Sequence, residues 1–167
     1  MSVKHKPGIG YEHPYSHHIQ IGSIVVFFIV WFFDTFLIEF ALDIRNLIPF
    51  IIRLILFVIV AIVSYLLINS SHKKIFLPSD QKLRLVTDGV YSYVRHPMYL
   101  SIIVLLFAFS LLSISFLSLV SWVIAVILFD RMMMFEEAEL LKILGNEYQN
   151  YMNQVPRWIP RIFFLKR

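Results

Sequence analysis

The chain has 167 residues, of which 59% are hydrophobic and 16% charged, with 16 Phe, no Cys and a net charge of +4. A water-soluble domain of this length carries more charge to cover its surface, so the excess of apolar residues points to lipid as the solvent. The lack of cysteine excludes a disulfide framework, a thiolate metal site and a cysteine nucleophile. The basic residues flank the apolar runs and suit anionic headgroups, so no nucleic-acid partner is expected.

Met1 to His18 is polar and lacks the apolar core and small-residue cleavage site of a signal peptide. His13 and His17 stand at the i, i+4 spacing of a helical metal pair, but Pro14 lies between them. A solvated or headgroup-facing arm that also carries His5 and His18 is expected. Ile21 to Ala41 is apolar except for Asp34 and Glu39, and it is long enough as a helix to cross a bilayer core of about 30 Å. Leu47 to Ile68 forms a second span, opened by Pro49 and interrupted by Arg53. The short link Asp43 to Asn46 makes the two spans an antiparallel hairpin. A turn near residue 44 sets Asp34 and Arg53 at similar depth, and a structural ion pair between them is expected, with a substrate-facing role as the alternative.

Asn69 to His96 carries Lys73, Lys74, Lys82, Arg84 and Arg95, with breaks at Pro78 and Gly89, and must lie outside the hydrocarbon. Pro97 to Phe129 is 33 residues without a charge, roughly 50 Å of helix, which is too long for one span and enough for two short ones. The spacing predicts a helical hairpin that turns near Ser113, Ser115 and Ser118. Its second arm runs past Asp130, through Glu136, Glu137 and Leu141, to Gly145. In the tail, Pro156 and Pro160 end helical structure. The expected fold is all-α, a polytopic membrane helix bundle of about four transmembrane helices with a C-terminal helical region outside the lipid. It forms one domain: an arm (1–20), a hairpin (21–68), a loop (69–97), a second hairpin (98–135) and a site-bearing C-terminal region (136–167). Of the 15 Lys and Arg, 13 fall on one side of this arrangement; that side is expected to be cytoplasmic and to hold both termini.

Two segments on that side carry chemistry: Leu85 to Tyr99, and Glu136-Glu137 followed by Leu140, Gly145, Tyr148, Tyr151, Val155, Arg157 and Pro160. The second hairpin starts and ends on the same side, so His96, Tyr99 and Glu136 converge. A Gly-Val-Tyr turn, a His-Pro helix start, aromatic rings and a carboxylate suit a half-apolar pocket for a zwitterionic, adenosine-type ligand. The helix start offers N–H groups to a carboxylate, Glu136 offers an acceptor to an ammonium or a ribose hydroxyl, and tyrosines face a sulfonium. The competing reading makes Arg95 and His96 interfacial anchors, the tyrosines an aromatic belt and the glutamates a solvated helical turn.

Order and spacing favour the first reading. Arg95-His96-Pro97-Met98-Tyr99-Leu100-Ser101 resembles the R-H-P-x-Y-x-G element of the isoprenylcysteine carboxyl methyltransferase and phospholipid methyltransferase superfamily, and Glu136-Glu137 resembles its paired glutamates. Leu85-Val86-Thr87-Asp88-Gly89-Val90-Tyr91 is similar to the L-V-T-x-G-x-Y lead-in, and Leu140 to Pro160 to the tail that ends in V-P-R-x-x-P. The resemblance covers Leu83 to Arg161. It implies an S-adenosyl-L-methionine-dependent methyltransferase in which Tyr91, His96, Pro97, Tyr99 and Glu136 bind the cofactor while Val86 and Met98 line the pocket. Ser101 replaces the usual glycine, and Leu83 stands where eukaryotic members often have histidine. An arginine ahead of the glutamates is expected to orient the substrate, and Arg131 is the candidate.

Methyl transfer from a sulfonium is an in-line displacement that needs alignment and exclusion of water. A carboxylate acceptor, with a pKa of about 3.5, is already ionised and needs only an arginine to hold it. A phospholipid amine needs a base, for which Glu137 is the nearest candidate. The expected partners are a lipophilic or prenylated acceptor arriving from the bilayer, and the membrane lipids themselves. An NADPH-dependent reductase of the sterol or steroid type shares a similar R-H-P-x-Y element, but such chains usually carry Asn where Met98 stands, an acidic residue soon after the glycine position, and a much longer sequence. A non-catalytic scaffold or transport subunit is the third possibility.

Overall fold

A computed structural model of the chain describes residues 16–75 and 85–159. His5, His13, Lys82, Leu83, Arg84, Pro160 and Arg161, named above, lie outside the described residues. Helix α1 (Ser16–Phe33) passes directly into a π-helical turn, Asp34–Ile38. Glu39 closes that turn in the left-handed region at φ 52, its N–H donating to the Asp34 carbonyl at 2.9 Å. The expected short link is itself a helix, α2 (Leu42–Leu47). The Arg45 guanidinium folds α2 back onto the turn through the Thr35 carbonyl and Glu39, both at 2.8 Å. Next come α3 (Phe50–Ile75), α4 (Pro97–Ser113), α5 (Phe116–Leu144) and α6 (Asn146–Gln154).

The hairpin of α4 and α5 turns at the serines, as expected. Ile114 ends α4 in the left-handed region at φ 51, and Ser115 caps α5 by accepting from the Ser118 N–H at 3.1 Å. Helix α5 continues past Asp130 to Leu144, where Gly145 (φ 54, ψ −126) takes a conformation open only to glycine and swings the chain into α6. Among the described residues, three helices are long and apolar enough to cross a membrane, within His17–Ile38, Phe50–Ser71 and Phe116–Leu144. The apolar α4 is shorter, at 17 residues. The chain is thus a multi-pass helical membrane protein.

The expected pairing of Asp34 with Arg53 does not form. Asp34 is buried and accepts from the Ser115 hydroxyl and from the Leu117 N–H at 3.1 Å, so a carboxylate from the π-helical turn caps the start of α5. Arg53 donates to the Leu112 carbonyl at 3.0 Å, near the end of α4. The first two spans run antiparallel, yet α1 packs chiefly on α5 and α3 on α4, which places the α4–α5 turn between the two charges. Helix ends leave N–H and C=O groups without intrahelical partners, and the hydrocarbon has no water to satisfy them. The two charges answer that demand instead of each other.

Small hydroxyl residues let the helices approach closely. Ser64 of α3 donates to the Ser101 carbonyl of α4 at 2.7 Å, and Ser118 of α5 to Ser110 of α4 at 2.8 Å. The Trp31 and Trp122 indoles donate to the carbonyls of Phe109 (3.0 Å) and Ile103 (2.9 Å), tying α1 and α5 to α4. Phe27, Leu106, Phe129 and Met133 form the buried centre of the bundle. Its upper edge is Tyr99, where the site begins.

Candidate active site

Pro97 opens α4 at the first helical position, where its missing N–H costs nothing and its fixed φ suits the helix. That places His96 at the N-cap and Tyr99 one turn in, facing α5. The Tyr99 hydroxyl donates to Glu136 in a very short hydrogen bond. His96 Nδ1 lies 3.7 Å from the other Glu136 oxygen, and Nε2 lies 3.1 Å from Glu137 Oε1. The convergence expected of His96, Tyr99 and Glu136 is present, at the end of the bundle opposite Asp34 and Ser115.

Glu137 is the hub of a cationic network. The Arg157 guanidinium grips it side-on, Nε to Oε1 at 3.1 Å and Nη2 to Oε2 at 2.6 Å, and reaches Asp130 with Nη1 at 3.0 Å. Arg95 Nη2 stands 3.3 Å from Oε1. With one oxygen meeting three donors and the other a fourth, Glu137 is a poor proton acceptor, so the geometry does not fit the general-base role expected of it. Arg131 is exposed. Five and six residues before the glutamates, it sits about 140° and 120° away from them round the helix. It does not join the cluster, and the substrate-orienting role assigned to it gains no support there. The guanidiniums at the site are those of Arg95 and Arg157, which sequence reasoning named without giving either a role. A signal existed: Asp130 and Glu137 are seven residues apart, stacked on one face of α5, and a buried acid beside a half-exposed one there demands cations.

The remaining residues frame this cluster. Tyr91, in a 3-10 turn (Gly89–Ser92), is buried; its carbonyl accepts from the Tyr151 hydroxyl of α6 at 2.6 Å. Burial pushes its phenol up to about 12, opposed by a hydrogen bond to Ser71 of α3. Its hydroxyl is thus turned to α3 and braces the loop between α3 and α6. Val86 and Met98 are half-buried, and Pro97 is fully buried. The Ser101 hydroxyl folds back onto the Met98 carbonyl at 2.7 Å.

His96 is held below the ordinary imidazole range, chiefly because burial disfavours its charged form; Glu137 pulls the other way and Arg95 and Arg157 assist burial. A histidine depressed in the folded state binds fewer protons than in the unfolded state. Its contribution to stability is therefore complete above the ordinary imidazole value of 6.5 and is lost as pH falls below it. Thermal melts in detergent are expected to be level from pH 7 to 8 and to fall from pH 6.5 downwards, with His96→Gln flattening that slope; an equal slope in the variant would remove His96 as its source.

The sequence profile of the phospholipid methyltransferase family matches residues 47–147, which hold all of α3, α4 and α5, and with them both halves of this cluster. The chain belongs to the phospholipid methyltransferase family. Within reach of this family, the protein-S-isoprenylcysteine O-methyltransferase of Schizosaccharomyces pombe is 37% identical over 83 residues, covering 47% of this chain and 34% of that protein. The methanethiol S-methyltransferase of Crocosphaera subtropica is 30% identical over 112 residues, covering 62% of this chain and 43% of that protein. The fold matches the solved eukaryotic intramembrane Ras methyltransferase, an isoprenylcysteine carboxyl methyltransferase, with a TM-score of 0.62 at 24% identity, over 90% of this chain and 55% of that one. This family member therefore spans between a third and about half the length of these relatives. These relatives are methyltransferases, and the solved one is intramembrane.

Proposed function

We propose that this chain transfers a methyl group from S-adenosyl-L-methionine to a lipophilic acceptor that reaches the site from the bilayer, with the cofactor entering from the cytoplasmic side. The meeting of His96, Tyr99 and Glu136 at one end of the α4–α5 hairpin carries this reading. The residues present fit the cofactor. A buried carboxylate and an imidazole offer acceptors to an ammonium or a ribose diol, the first turn of α4 presents N–H groups at the same end, and Tyr99 against Phe129 supplies an apolar, π-rich wall. When bound, the cofactor supplies an activated methyl on a sulfonium. The protein contributes alignment and the exclusion of water, which a displacement of this kind needs most.

Glu137 also bears on the choice of acceptor. A protonated phospholipid amine requires a base, and Glu137 is committed to Arg157, Arg95 and His96. An acceptor carboxylate of the prenylcysteine type, with a pKa of about 3.5, arrives ionised and needs none. This favours a carboxylate over an amine. Solubilised protein incubated with a radiolabelled methyl donor should label a prenylcysteine analogue, leave phosphatidylethanolamine unlabelled, and bind S-adenosylhomocysteine but not NADPH. Binding of NADPH alone would replace this reading with the reductase one; labelling of the phospholipid would reverse the choice of acceptor.

A further inference from the structure

We infer that Arg157 is a positioning residue for the methyl donor, acting through Glu137 to fix the orientation and tautomer of His96. This rests on the donor-binding reading above and extends it to a residue beyond the family-matched segment 47–147.

The tail that carries Arg157 is pinned at several points. Besides the guanidinium fork on Glu137 and its third bond to Asp130, the Trp158 indole donates to Asp130 at 2.8 Å and packs on the bundle core. The Pro156 carbonyl accepts from the Arg95 N–H at 3.0 Å, which ties the tail to the residue just before His96. Val155, buried, packs with Leu85 at the start of the site loop. One short stretch of chain therefore braces both the loop that carries His96 and the face of α5 that carries Glu137.

The consequence for His96 follows from donor and acceptor rules. Glu137, ionised by its guanidinium partners, has no proton to give, so the proton in its contact with His96 belongs to Nε2. Nδ1 is then the acceptor nitrogen, and it faces Glu136 Oε2 at 3.7 Å. Among the described residues, the groups that face this ring are Glu136 and Glu137 from α5, Tyr99 from α4, Arg95 from its own loop and Arg157 from the tail. Burial, assisted by the guanidiniums of Arg95 and Arg157 against the pull of Glu137, leaves the imidazole neutral. Without Arg157 the balance tips by one negative charge and the ring gains a proton at Nδ1. The proton stays on Nδ1 and points at Glu136, so that both acceptors prepared for the ligand's ammonium or diol are occupied.

The test is S-adenosylhomocysteine binding to the full chain in detergent, measured by calorimetry from pH 6 to 8.5. Arg157→Gln should bind about ten- to a hundredfold more weakly at pH 7, as expected when a charge-assisted bond is removed, and should recover as pH rises. Arg157→Lys, which keeps the charge and loses the fork, should fall between the two and carries the test if Arg157→Gln does not fold. Adding His96→Gln to Arg157→Gln should abolish the pH dependence. Unchanged affinity, or a uniform loss with the wild-type pH profile, would overturn the inference and leave Arg157 a purely structural brace. Failure of the wild-type chain to bind S-adenosylhomocysteine would overturn the donor reading itself, whatever Arg157 does.

Discussion

Replacing Glu136 with Ala is expected to abolish donor binding, with a loss in S-adenosylhomocysteine affinity of a hundredfold or more, on the order of 3 kcal/mol. Glu136 is buried and joins the two arms of the hairpin: Tyr99 donates to one oxygen and His96 Nδ1 approaches the other. Truncation removes the carboxylate that stands between Tyr99 and His96. It also leaves a buried phenol without its acceptor, and that unmade bond costs more than a neutral deletion would. Glu136→Gln keeps the shape but halves the accepting capacity and removes the charge, so about a tenfold loss is expected. Calorimetry on solubilised protein reads both variants, and wild-type affinity in Glu136→Ala would take this residue out of the site.

The second large effect lies at the far end of the bundle and concerns stability alone. Asp34→Ala strips a buried carboxylate from the Ser115 hydroxyl and the Leu117 N–H, exposing the start of α5 to a medium that cannot solvate it. A loss of about 3 kcal/mol is expected, seen as a fall of roughly 5–10 °C in melting temperature. Donor affinity should stay close to wild type. A double-mutant cycle with Arg53→Met distinguishes the observed arrangement from a direct ion pair. Asp34 and Arg53 serve different helix ends, so their effects should add, and a coupling energy above roughly 1 kcal/mol would contradict the arrangement.

The same pair shows what hydropathy can and cannot convey. Depth in the bilayer follows from counting residues along an apolar run, and Asp34 and Arg53 do lie at the same end. Azimuth does not follow, because an apolar helix facing lipid carries almost no stripe to mark its inner side. The α4–α5 hairpin was legible because its closure is local: uncharged length sets two arms, serines mark the turn, and geometry then returns His96 to Glu136. The π-helical turn at Asp34–Ile38 and the helix α2 were illegible, since neither breaks the composition of the run. Arg131 was chosen for its nearness in sequence to the glutamates, whereas an arginine 20 residues after Glu137 meets it through the fold. Sequence order alone offers Glu137 as a base, whereas in the fold Arg95, Arg157 and His96 consume its lone pairs.

The shortness of α4 has a physical outcome for the surrounding lipid. Its 17 residues rise about 26 Å, against a hydrocarbon thickness near 30 Å, while α5 climbs from the same turn through 29 residues. An annulus of lipid beside α4 must either compress or let the threshold at Pro97 sink below the headgroups, at a cost of fractions of a kcal/mol per Å. Either adjustment opens a notch where acyl chains and water meet side by side. Membranes of longer-chain lipids would deepen that notch, so bilayer thickness would act on this protein as a tuning parameter in its own right.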